Sequence, residues 1–432
     1  MQLFGTSGIR RIADRNLLEL AMKTGLAAGR VYGRVVVGCD TRTSGEAVKR
    51  AFTSGLLAAG ARCSEAGILP TPTLALAARE YDAGAVITAS HNPPEYNGIK
   101  LLNPVGSAFD SNQREQIEDM VLRDSLSAAS WDKIKKGGIH NGAIEQHIEH
   151  ILENFPDKIK LKVVVDCGCG AASVITPYLL SRLGCEVIAL NCYPSGFFPR
   201  DIEPIEDNLG DLIKAVKEFG ADLGIAHDGD ADRMMAVDDR GQFIPGDKLL
   251  AIFAGQAGAK AVVTTIDASM LIDEMGVNVT RTRVGDIHVS EELKKGGDFG
   301  GEPSGSWVFP DSSLCPDGIY AAARVVDIAS RQKLSSLADA IPKYPLIRGS
   351  VTGEGVVESD LEKQLLAMDP LSVTDMDGIK LNFEDGWLLI RASGTEPKIR
   401  VTAEAKSEAR AQQLYDGGVG VINKCRKEGK ED

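Results

Sequence analysis

Short apolar runs alternate with amphipathic stretches along most of this chain of 432 residues. An apolar run bounded by turn residues predicts a buried strand, and apolar positions spaced three to four residues apart predict a helix. Strand, helix and strand follow one another three times: at 35–38, 46–59 and 61–66; at 162–166, 172–183 and 186–190; and at 261–265, 269–275 and 277–282. This order predicts βαβ units and an α/β fold.

The three units recur at similar intervals, which predicts three similarly built α/β domains in tandem. From about residue 345 the pattern changes. Strands at 386–392 and 398–403 flank a turn, and a helix at 408–424 follows, so the last domain is expected to be smaller and of α+β type. The polar segment 128–142 is predicted to lie on the surface, near the first domain boundary. The predicted domains are 1–142, 143–246, 247–344 and 345–432.

Composition and charge exclude several classes of protein. Hydrophobic residues make up 43% and charged residues 25% of the chain, as in ordinary soluble globular proteins. The formal net charge of −13 argues against non-specific binding to nucleic acid or to an anionic membrane. No apolar run approaches the ~20 residues that span a bilayer. The amino terminus also lacks the pattern of a signal peptide, so we expect a cytoplasmic protein.

The eight cysteines are scattered, and most lie within or beside apolar runs, as reduced core thiols do. Cys167 and Cys169 are separated by one residue, whereas zinc and redox motifs have two between their cysteines. We therefore interpret this pair as structural.

Residues 88–93, Thr-Ala-Ser-His-Asn-Pro, directly follow the predicted strand at 83–87 and include Ser90 and His91. Residues 92–94, Asn-Pro-Pro, prevent a helix from starting at once, so the serine is expected on a fixed loop. A nucleophilic serine needs such an exposed and rigid position beside polar groups. An ordinary turn is the more common explanation of a lone Ser-His pair, so the rest of the chain decides. Lys100 is close enough in sequence to reach the same site, where it would carry a proton or neutralise a phosphate.

Asp228, Asp230 and Asp232 alternate along a loop that follows a strand-like run. Carboxylates with this spacing can converge on one hard cation, and oxygen ligands favour Mg²⁺ or Ca²⁺ over zinc. The chain returns to a strand at 234–237, which excludes the longer loop of an EF-hand. A solvated acidic hairpin is the alternative. Arg233 would add positive charge for a phosphate bound beside the metal.

The segment around Ser393, Gly394 and Thr395 lies between two predicted strands. Its hydroxyls and successive backbone N–H groups would form a nest suited to a phosphate. Arg391 and Arg400 bracket this segment, and each could donate paired hydrogen bonds to phosphate oxygens. A plain hairpin turn with solvated arginines is the alternative.

Two further loops are weaker candidates. Glu302 and Ser304 are separated by one residue, so in an extended loop both side chains point the same way, towards neighbouring sugar hydroxyls. The glycine-rich stretch 4–10 ends in Arg10, a candidate contact to a phosphate or a sugar ring. Each loop is also compatible with an ordinary turn.

Together these motifs resemble those of the α-D-phosphohexomutase superfamily, in the expected order and over essentially the whole chain. The phosphoserine loop is Thr-Ala-Ser-His-Asn-Pro at 88–93, and the metal loop is Asp-Gly-Asp-Ala-Asp-Arg at 228–233. The sugar loop is Gly-Glu-Pro-Ser-Gly at 301–305, and the phosphate loop spans 391–400. The resemblance implies three tandem similar α/β domains plus a smaller C-terminal α+β domain around a central active-site cleft, each contributing one loop.

The resemblance also implies an isomerase that is phosphorylated at rest on Ser90 and binds a small-molecule sugar phosphate. One Mg²⁺ would be held by Ser90, Asp228, Asp230 and Asp232. A hexose 1,6-bisphosphate would be both intermediate and activator, and the chain would act as a monomer or homodimer. The candidates for moving protons or neutralising phosphate are Lys100 and His91, and those for holding the transferring group are Arg10 and Arg42. The sugar phosphate would be bound by Arg233, Glu302, Ser304, Arg391, Ser393, Gly394, Thr395 and Arg400.

Within the superfamily the pattern is most similar to archaeal proteins assigned as phosphoglucosamine mutases. Phosphomannomutase or phosphoglucomutase activity is the alternative, because Glu302 and Ser304 would contact hydroxyls common to all three sugars. Three residues depart from common family patterns: Ser306 stands where many members have histidine, Arg11 replaces a frequent glycine, and Ile287 stands where bacterial glucosamine enzymes often have arginine. The last weakens a transfer of sugar specificity from the bacterial enzymes.

Two other classes of protein would use the same residues. A sugar phosphatase would release inorganic phosphate in proportion to protein, but a phosphate loop that serves two substrate orientations argues against it. A catalytically silent sugar-phosphate sensor would show a broken motif, whereas the serine, the three aspartates and both flanking arginines are present.

Overall fold

The computed structural model describes residues 3–5, 8–123, 126–354, 356, 358–392 and 398–426. The chain divides into two compact units. The first comprises Met1–Ala261 and Gly285–Ala340, and the second comprises Val262–Val284 and Ile341–Asp432. The predicted third domain, 247–344, therefore contributes residues to both units.

The first segment of the chain forms a mixed sheet with helices. Its strands are β1 (Ile9–Ile12), β2 (Arg34–Cys39), β3 (Arg62–Ile68), β4 (Ala83–Ile87), β5 (Tyr96–Leu102) and β6 (Gly138–Ile139). Its helices are α1 (Arg15–Val31), α2 (Gly45–Ala58), α3 (Thr71–Ala77), α4 (Ser111–Leu122) and α5 (Ala143–Leu152). The strand order is β1-β5-β4-β2-β3-β6. Because β2 runs parallel to β4, with Cys39 opposite Ile87, the loops that leave these two strands lie side by side.

The second segment repeats the βαβ arrangement. Its strands are β7 (Lys162–Asp166), β8 (Glu186–Leu190), β9 (Leu223–His227) and β10 (Met234–Val237), in the order β10-β9-β7-β8. Its helices are α6 (Thr176–Leu183), α7 (Gly210–Phe219) and α8 (Gly246–Ala257). The helix predicted at 172–183 is divided into a 3₁₀ turn, Ala171–Val174, and α6. Pro177 has no N–H to continue the earlier turn, so the α-helix starts anew beside it.

The third segment contains β11 (Ala261–Thr265), β12 (Asn278–Thr282), β13 (Phe299–Gly301) and β14 (Trp307–Val308). Its helices are α9 (Asp286–Leu293), α10 (Gly318–Arg331) and α11 (Leu334–Ala340). The helix predicted at 269–275 is a 3₁₀ helix, Met270–Met275, which follows Ser269 as its N-cap. Strands β13 and β14 pair antiparallel, with Gly301 opposite Trp307, and enclose the predicted sugar loop.

The last segment forms an antiparallel sheet covered by helices. Its strands are β15 (Leu346–Thr352), β16 (Ser372–Thr374), β17 (Ile379–Phe383), β18 (Gly386–Ala392) and β19 (Lys398–Ala405), in the order β15-β19-β18-β17-β16. Its helices are α12 (Glu358–Leu366) and α13 (Glu408–Lys424). Leu388 and Val401 share a core with Leu414 of α13, while Trp387 and Leu389 pack against Ile266. Alternate residues of β18 thus bury both faces of this sheet.

Among the described ranges, no helix combines the length and the apolar character that a membrane crossing needs.

Asp317 connects α10 to α5. Its Oδ1 accepts hydrogen bonds from the backbone N–H groups of Ile319 (3.0 Å) and Tyr320 (2.9 Å) in the first turn of α10. Its Oδ2 lies 3.0 Å from Nε2 of His147 on α5, and both side chains are buried. We expect Asp317→Ala to lower the free energy of unfolding by about 1–2 kcal/mol, because the helix loses its N-cap. Urea unfolding followed by circular dichroism measures the change.

Asp317→Asn is the matched control, since its side-chain oxygen can still accept from the two amides. It is expected to lose distinctly less stability than the alanine variant. Equal losses in both variants would contradict a capping role for this side chain.

Candidate active site

Ser90 lies on the loop after β4, where neighbouring side chains fix its backbone. Its φ is +50°, in the left-handed region that residues other than glycine seldom adopt. Its N–H donates to Thr88 Oγ1 (2.9 Å), and Thr88 Oγ1 donates to Asp40 Oδ2 (2.6 Å). The expectation of an exposed serine is wrong, because Ser90 is only 1% exposed. The metal loop covers it.

Arg42 holds the same loop from the side of β2. Its buried guanidinium donates through Nε to Asp40 Oδ2 (3.1 Å). Its two terminal nitrogens donate, at 2.6–2.9 Å, to the carbonyl oxygens of Ser90, Asn92, Pro93 and Tyr96. Every N–H of the group is thereby used, one on Asp40 and the others on these carbonyl oxygens, so Arg42 positions Ser90 instead of offering free donors to a phosphoryl group. Burial raises the pKa of Asp40 to about 6, although Arg42 and Thr88 act in the opposite direction.

The metal loop, 228–233, connects β9 to β10 and lies directly against the serine loop. The Oγ of Ser90 donates to Asp228 Oδ2 over 2.6 Å. A Cβ on Gly229 would lie 2.6 Å from the carbonyl oxygen of Ser90, so this close approach of the two backbones requires glycine. Ser90 and Asp228, two of the four predicted metal ligands, are therefore joined by a direct hydrogen bond.

Asp228, Asp230 and Asp232 are all buried, and their ligand oxygens lie within 4.8 Å of one another. Oδ1 of Asp230 and Oδ1 of Asp232 have no hydrogen-bond partner among the residues that the structure describes. Buried carboxylate oxygens without partners are costly unless a cation satisfies them. This oxygen-only donor set fits a hard divalent ion such as Mg²⁺.

Lys100, on β5, neutralises part of this charge. Its Nζ donates to Asp230 Oδ2 (2.7 Å) and to Asp232 Oδ2. Burial alone would lower the pKa of Lys100, but the two carboxylates outweigh it and raise that pKa above its usual range. Burial, together with the charges of Asp232 and Asp230, raises the pKa of Asp228. Lys100 is therefore a protonated donor in this arrangement, not a proton acceptor.

His91 and Arg10 complete the surroundings of the serine. Nδ1 of His91 lies 3.3 Å from Oγ of Ser90. Burial and the nearby charges of Arg233 and Arg10 lower the pKa of His91 to about 2, so its imidazole is neutral. Arg10 donates from Nη1 to the side-chain oxygen of Asn92 (2.9 Å) on the serine loop.

The predicted sugar loop is joined to the metal loop by backbone hydrogen bonds. The N–H of Met234 donates to the carbonyl of Gly305 (3.0 Å), and the backbones of Arg233 and Ser306 form an antiparallel β-bridge. The buried Oε1 of Glu302 accepts a hydrogen bond from the N–H of Gly285 (2.8 Å). Ser304 lies exposed at the tip of the same turn.

Two contributors to the site were missed by the sequence reasoning. Oγ1 of Thr71, at the start of α3, donates to Asp230 Oδ2 (2.5 Å). Oε1 of Glu203 accepts from Arg233 Nη1 (2.9 Å). Neither residue lies in a recognisable motif, and each reaches its partner only through the fold.

A cavity of about 880 Å³ opens beside His91 and Asn92. Its other walls are formed by residues 93–94 and by parts of the segment 198–208, including Glu203. This volume lies in the range of ~300–1,000 Å³ that is typical of sites for small molecules. The serine loop is thus next to a space of suitable size for a substrate.

The phosphate loop belongs to the second unit, and its central residues Ser393, Gly394 and Thr395 lie outside the described residues. The flanking Arg391 and Arg400 are opposite each other on β18 and β19, so their side chains share one face of the sheet. Arg391 forms an ion pair with Asp377 at 2.9 Å.

Within the first unit, the structure therefore brings together the following predicted site residues: Arg10, Ser90, His91, Lys100, Asp228, Asp230, Asp232 and Arg233. The loop that carries Glu302 and Ser304 lies beside them through its hydrogen bonds to Met234.

Comparisons with known proteins agree with this fold. Models of the phosphoglucomutase/phosphomannomutase family match along the chain: alpha/beta/alpha domain I at 1–127, domain II at 145–241, domain III at 245–344 and the C-terminal domain at 354–417. A solved structure of a phosphoglucomutase/phosphomannomutase family protein from Burkholderia thailandensis aligns with a TM-score of 0.85 and 28% identity, covering 99% of this chain and 98% of that one.

Two curated archaeal relatives are similar over nearly their whole length. The probable phosphoglucosamine mutase of Methanocella arvoryzae is 49% identical, over 98% of this chain and 99% of the relative. The protein of the same name from Methanococcoides burtonii is also 49% identical, over 98% of this chain and 100% of the relative.

The fold is that of a phosphohexomutase, an enzyme that moves a phosphate within a sugar phosphate. The chain belongs to the phosphoglucomutase/phosphomannomutase family. The superfamily resemblance and the fold class predicted from the sequence are thus confirmed.

Lys100→Met removes the ammonium group that is paired with Asp230 and Asp232. We expect this variant to bind Mg²⁺ at least ~10-fold more tightly than the wild type, because the metal no longer competes with a buried cation. Asp230→Asn removes a carboxylate charge and is expected to bind Mg²⁺ at least ~10-fold more weakly. Isothermal titration calorimetry measures both affinities without depending on turnover.

Asp201→Asn is the control, since Asp201 is an exposed carboxylate on the wall of the same cavity. Its Mg²⁺ affinity should equal that of the wild type. Weaker binding by Lys100→Met than by the wild type would show that Lys100 supports metal binding and does not compete with it.

Proposed function

We propose that this chain is a phosphoglucosamine mutase that interconverts glucosamine 6-phosphate and glucosamine 1-phosphate. The observation that carries the proposal is the hydrogen bond of 2.6 Å from Ser90 to Asp228, inside a buried triad of carboxylates. The choice of sugar is supported by the names of the archaeal relatives at 49% identity.

In the proposed reaction Ser90 carries a phosphoryl group at rest. A hydroxyl of the substrate attacks the phosphorus, the bond from phosphorus to Oγ of Ser90 breaks, and a hexosamine 1,6-bisphosphate forms. After this intermediate has turned over, Oγ attacks its other phosphorus, the bond from that phosphorus to the sugar oxygen breaks, and the serine is phosphorylated again. The proton that left the attacking hydroxyl in the first step returns to the sugar oxygen in the second. A bound Mg²⁺, held by the three aspartates and the phosphoserine, would supply positive charge for the transferring phosphoryl group.

The described contacts favour distinct roles for the residues around Ser90. Asp228 orients Oγ through its hydrogen bond, and the protonated Lys100 supplies positive charge. The neutral imidazole of His91, with Nδ1 3.3 Å from Oγ, would sit beside the phosphoryl group, and its pKa, lowered to about 2, makes it a poor proton acceptor. Arg42 keeps the loop in position by holding its carbonyl groups.

The remaining assignments follow the same proposal. Arg10 and Arg233 would contact the phosphate near Ser90, and Glu302 and Ser304 would contact the sugar. Arg391 and Arg400, with Ser393, Gly394 and Thr395, would bind the phosphate that is not transferred. The proposed domains are 1–142, 143–246, 247–344 and 345–432. The proposed location is the cytoplasm, the proposed form is a monomer or homodimer, and hexose 1,6-bisphosphate is the proposed activator.

Phosphomannomutase or phosphoglucomutase activity is the second candidate, because the family models that match this chain carry those names. Glu302 is buried and hydrogen-bonded in the site, and it would contact hydroxyls that glucosamine, glucose and mannose share.

Ser90→Ala should lose mutase turnover by several orders of magnitude, because no other atom can carry the phosphoryl group. Mass spectrometry of the wild type should find one phosphate on the peptide that contains Ser90. Ser181→Ala, at an exposed serine on α6, is the matched control and should keep both the phosphate and the activity. Full turnover by Ser90→Ala would overturn the proposed mechanism.

A panel of substrates tests the sugar. One preparation is given glucosamine 1-phosphate, glucose 1-phosphate and mannose 1-phosphate, with Mg²⁺ and a trace of the matching bisphosphate. We expect the highest kcat/KM for glucosamine 1-phosphate and almost no release of inorganic phosphate. A much higher kcat/KM for mannose 1-phosphate would contradict the choice of sugar, and stoichiometric phosphate release would indicate a phosphatase.

A further inference from the structure

Cys167 and Cys192, which are separated in sequence, lie close together near the metal loop. Cys167 directly follows β7, and Cys192 lies two residues beyond the end of β8. These strands are parallel neighbours, with Asp166 opposite Leu190. The two Sγ atoms lie 3.1 Å apart, and both cysteines are free thiols. A small shift of about 1 Å would bring the sulfurs to the ~2.0 Å of a disulfide bond.

The two thiols have different surroundings. Cys167 is completely buried, and burial raises its pKa well above the usual value. Cys192 is partly exposed, and its hydrogen bond with Cys167 lowers its pKa, although burial acts in the opposite direction. Cys192 therefore has both the access and the thiolate character that an attacking thiol needs.

We propose that Cys167 and Cys192 form a redox modification site that a low-molecular-weight disulfide oxidises to an intramolecular disulfide. The thiolate of Cys192 attacks one sulfur of the small disulfide, which releases one thiol and leaves a mixed disulfide on Cys192. Cys167 then loses its proton and attacks the sulfur of Cys192, which releases the second thiol. The protein loses two protons and two electrons, and the small disulfide gains them and is reduced to two thiols.

The position of this pair connects it to the metal loop. The N–H of Ala171 donates to the carbonyl of Gly229 (2.8 Å). A Cβ on Gly170 would lie 2.8 Å from the same carbonyl, so the two loops are in close contact. The carbonyl of Cys169 accepts from Thr41 Oγ1 (2.8 Å). A shift of Cys167 is therefore transmitted to the backbone beside Asp228.

Oxidation should consequently slow the mutase reaction, a consequence that rests on the proposed function. Misplacement of active-site groups by 1 Å can cost about 10²-fold in rate. We expect the oxidised protein to be at least ~10-fold slower, with full recovery after reduction.

The purified full-length protein is incubated with oxidised glutathione, its remaining thiols are alkylated, and its peptides are mapped by mass spectrometry. We expect one cross-link, between the peptides of Cys167 and Cys192, that disappears with dithiothreitol. Cys192→Ser and Cys167→Ala should lose it. Cys169→Ser and Cys185→Ser are the matched controls and should keep it. Full alkylation of both thiols, a cross-link to Cys169, or a mixed disulfide at Cys192 that goes no further would each overturn the proposal.

The same samples are assayed for turnover, and circular dichroism verifies that each variant is folded. The activity of Cys192→Ser should not respond to oxidised glutathione. A cross-link without any change in turnover of the wild type would refute the effect on the metal loop. Because disulfide mapping needs no substrate, a protein that forms the cross-link but shows no mutase activity would contradict the proposed function alone.

Discussion

Mutual repulsion among Asp228, Asp230 and Asp232 is the constraint on which this site depends. Burying a charge costs several kcal/mol unless partners compensate for it, and three carboxylates in one short loop multiply that cost. Protein groups compensate only part of this cost of burying three carboxylates. Lys100 and Thr71 donate to the Oδ2 atom of Asp230, while one buried oxygen of Asp230 and one of Asp232 keep no partner among the described residues. The folded chain thus offers two buried carboxylate oxygens to a cation.

The compensating groups come from the first segment of the chain, whereas the aspartates lie in the second. Lys100 lies on β5 and Ser90 follows β4, whereas the metal loop connects β9 to β10. Gly229 allows the two loops to touch, and Arg42 holds the serine loop by its carbonyl groups so that Oγ meets Asp228. The contacts of the metal loop therefore also fix the position of Ser90. A change on either side is expected to alter both the metal affinity and the serine position.

Features that depend on local sequence could be predicted, and features that depend on long-range contacts could not. The strands at 162–166 and 186–190 and the helix at 408–424 have the predicted bounds, because apolar periodicity and turn residues decide them locally. The spacing of the aspartates likewise indicated the carboxylate cluster. The burial of Ser90 and the clamping role of Arg42 arise from packing between loops far apart in sequence, which no local pattern encodes.

The metal loop is also held by contacts other than those to Ser90. Through these contacts a change at the cysteine pair, Cys167 and Cys192, can affect the metal loop. Asp228 accepts hydrogen bonds from Oγ of Ser90 and from the N–H of Arg233, while the carbonyl of Gly229 accepts from Ala171. A displacement of Ala171 therefore acts first on the backbone between Asp228 and Asp230, before it reaches any group that touches a substrate. Closely packed loops have little free volume to absorb such a shift. A chemical change at Cys167 can thus alter the carboxylate geometry without entering the cavity.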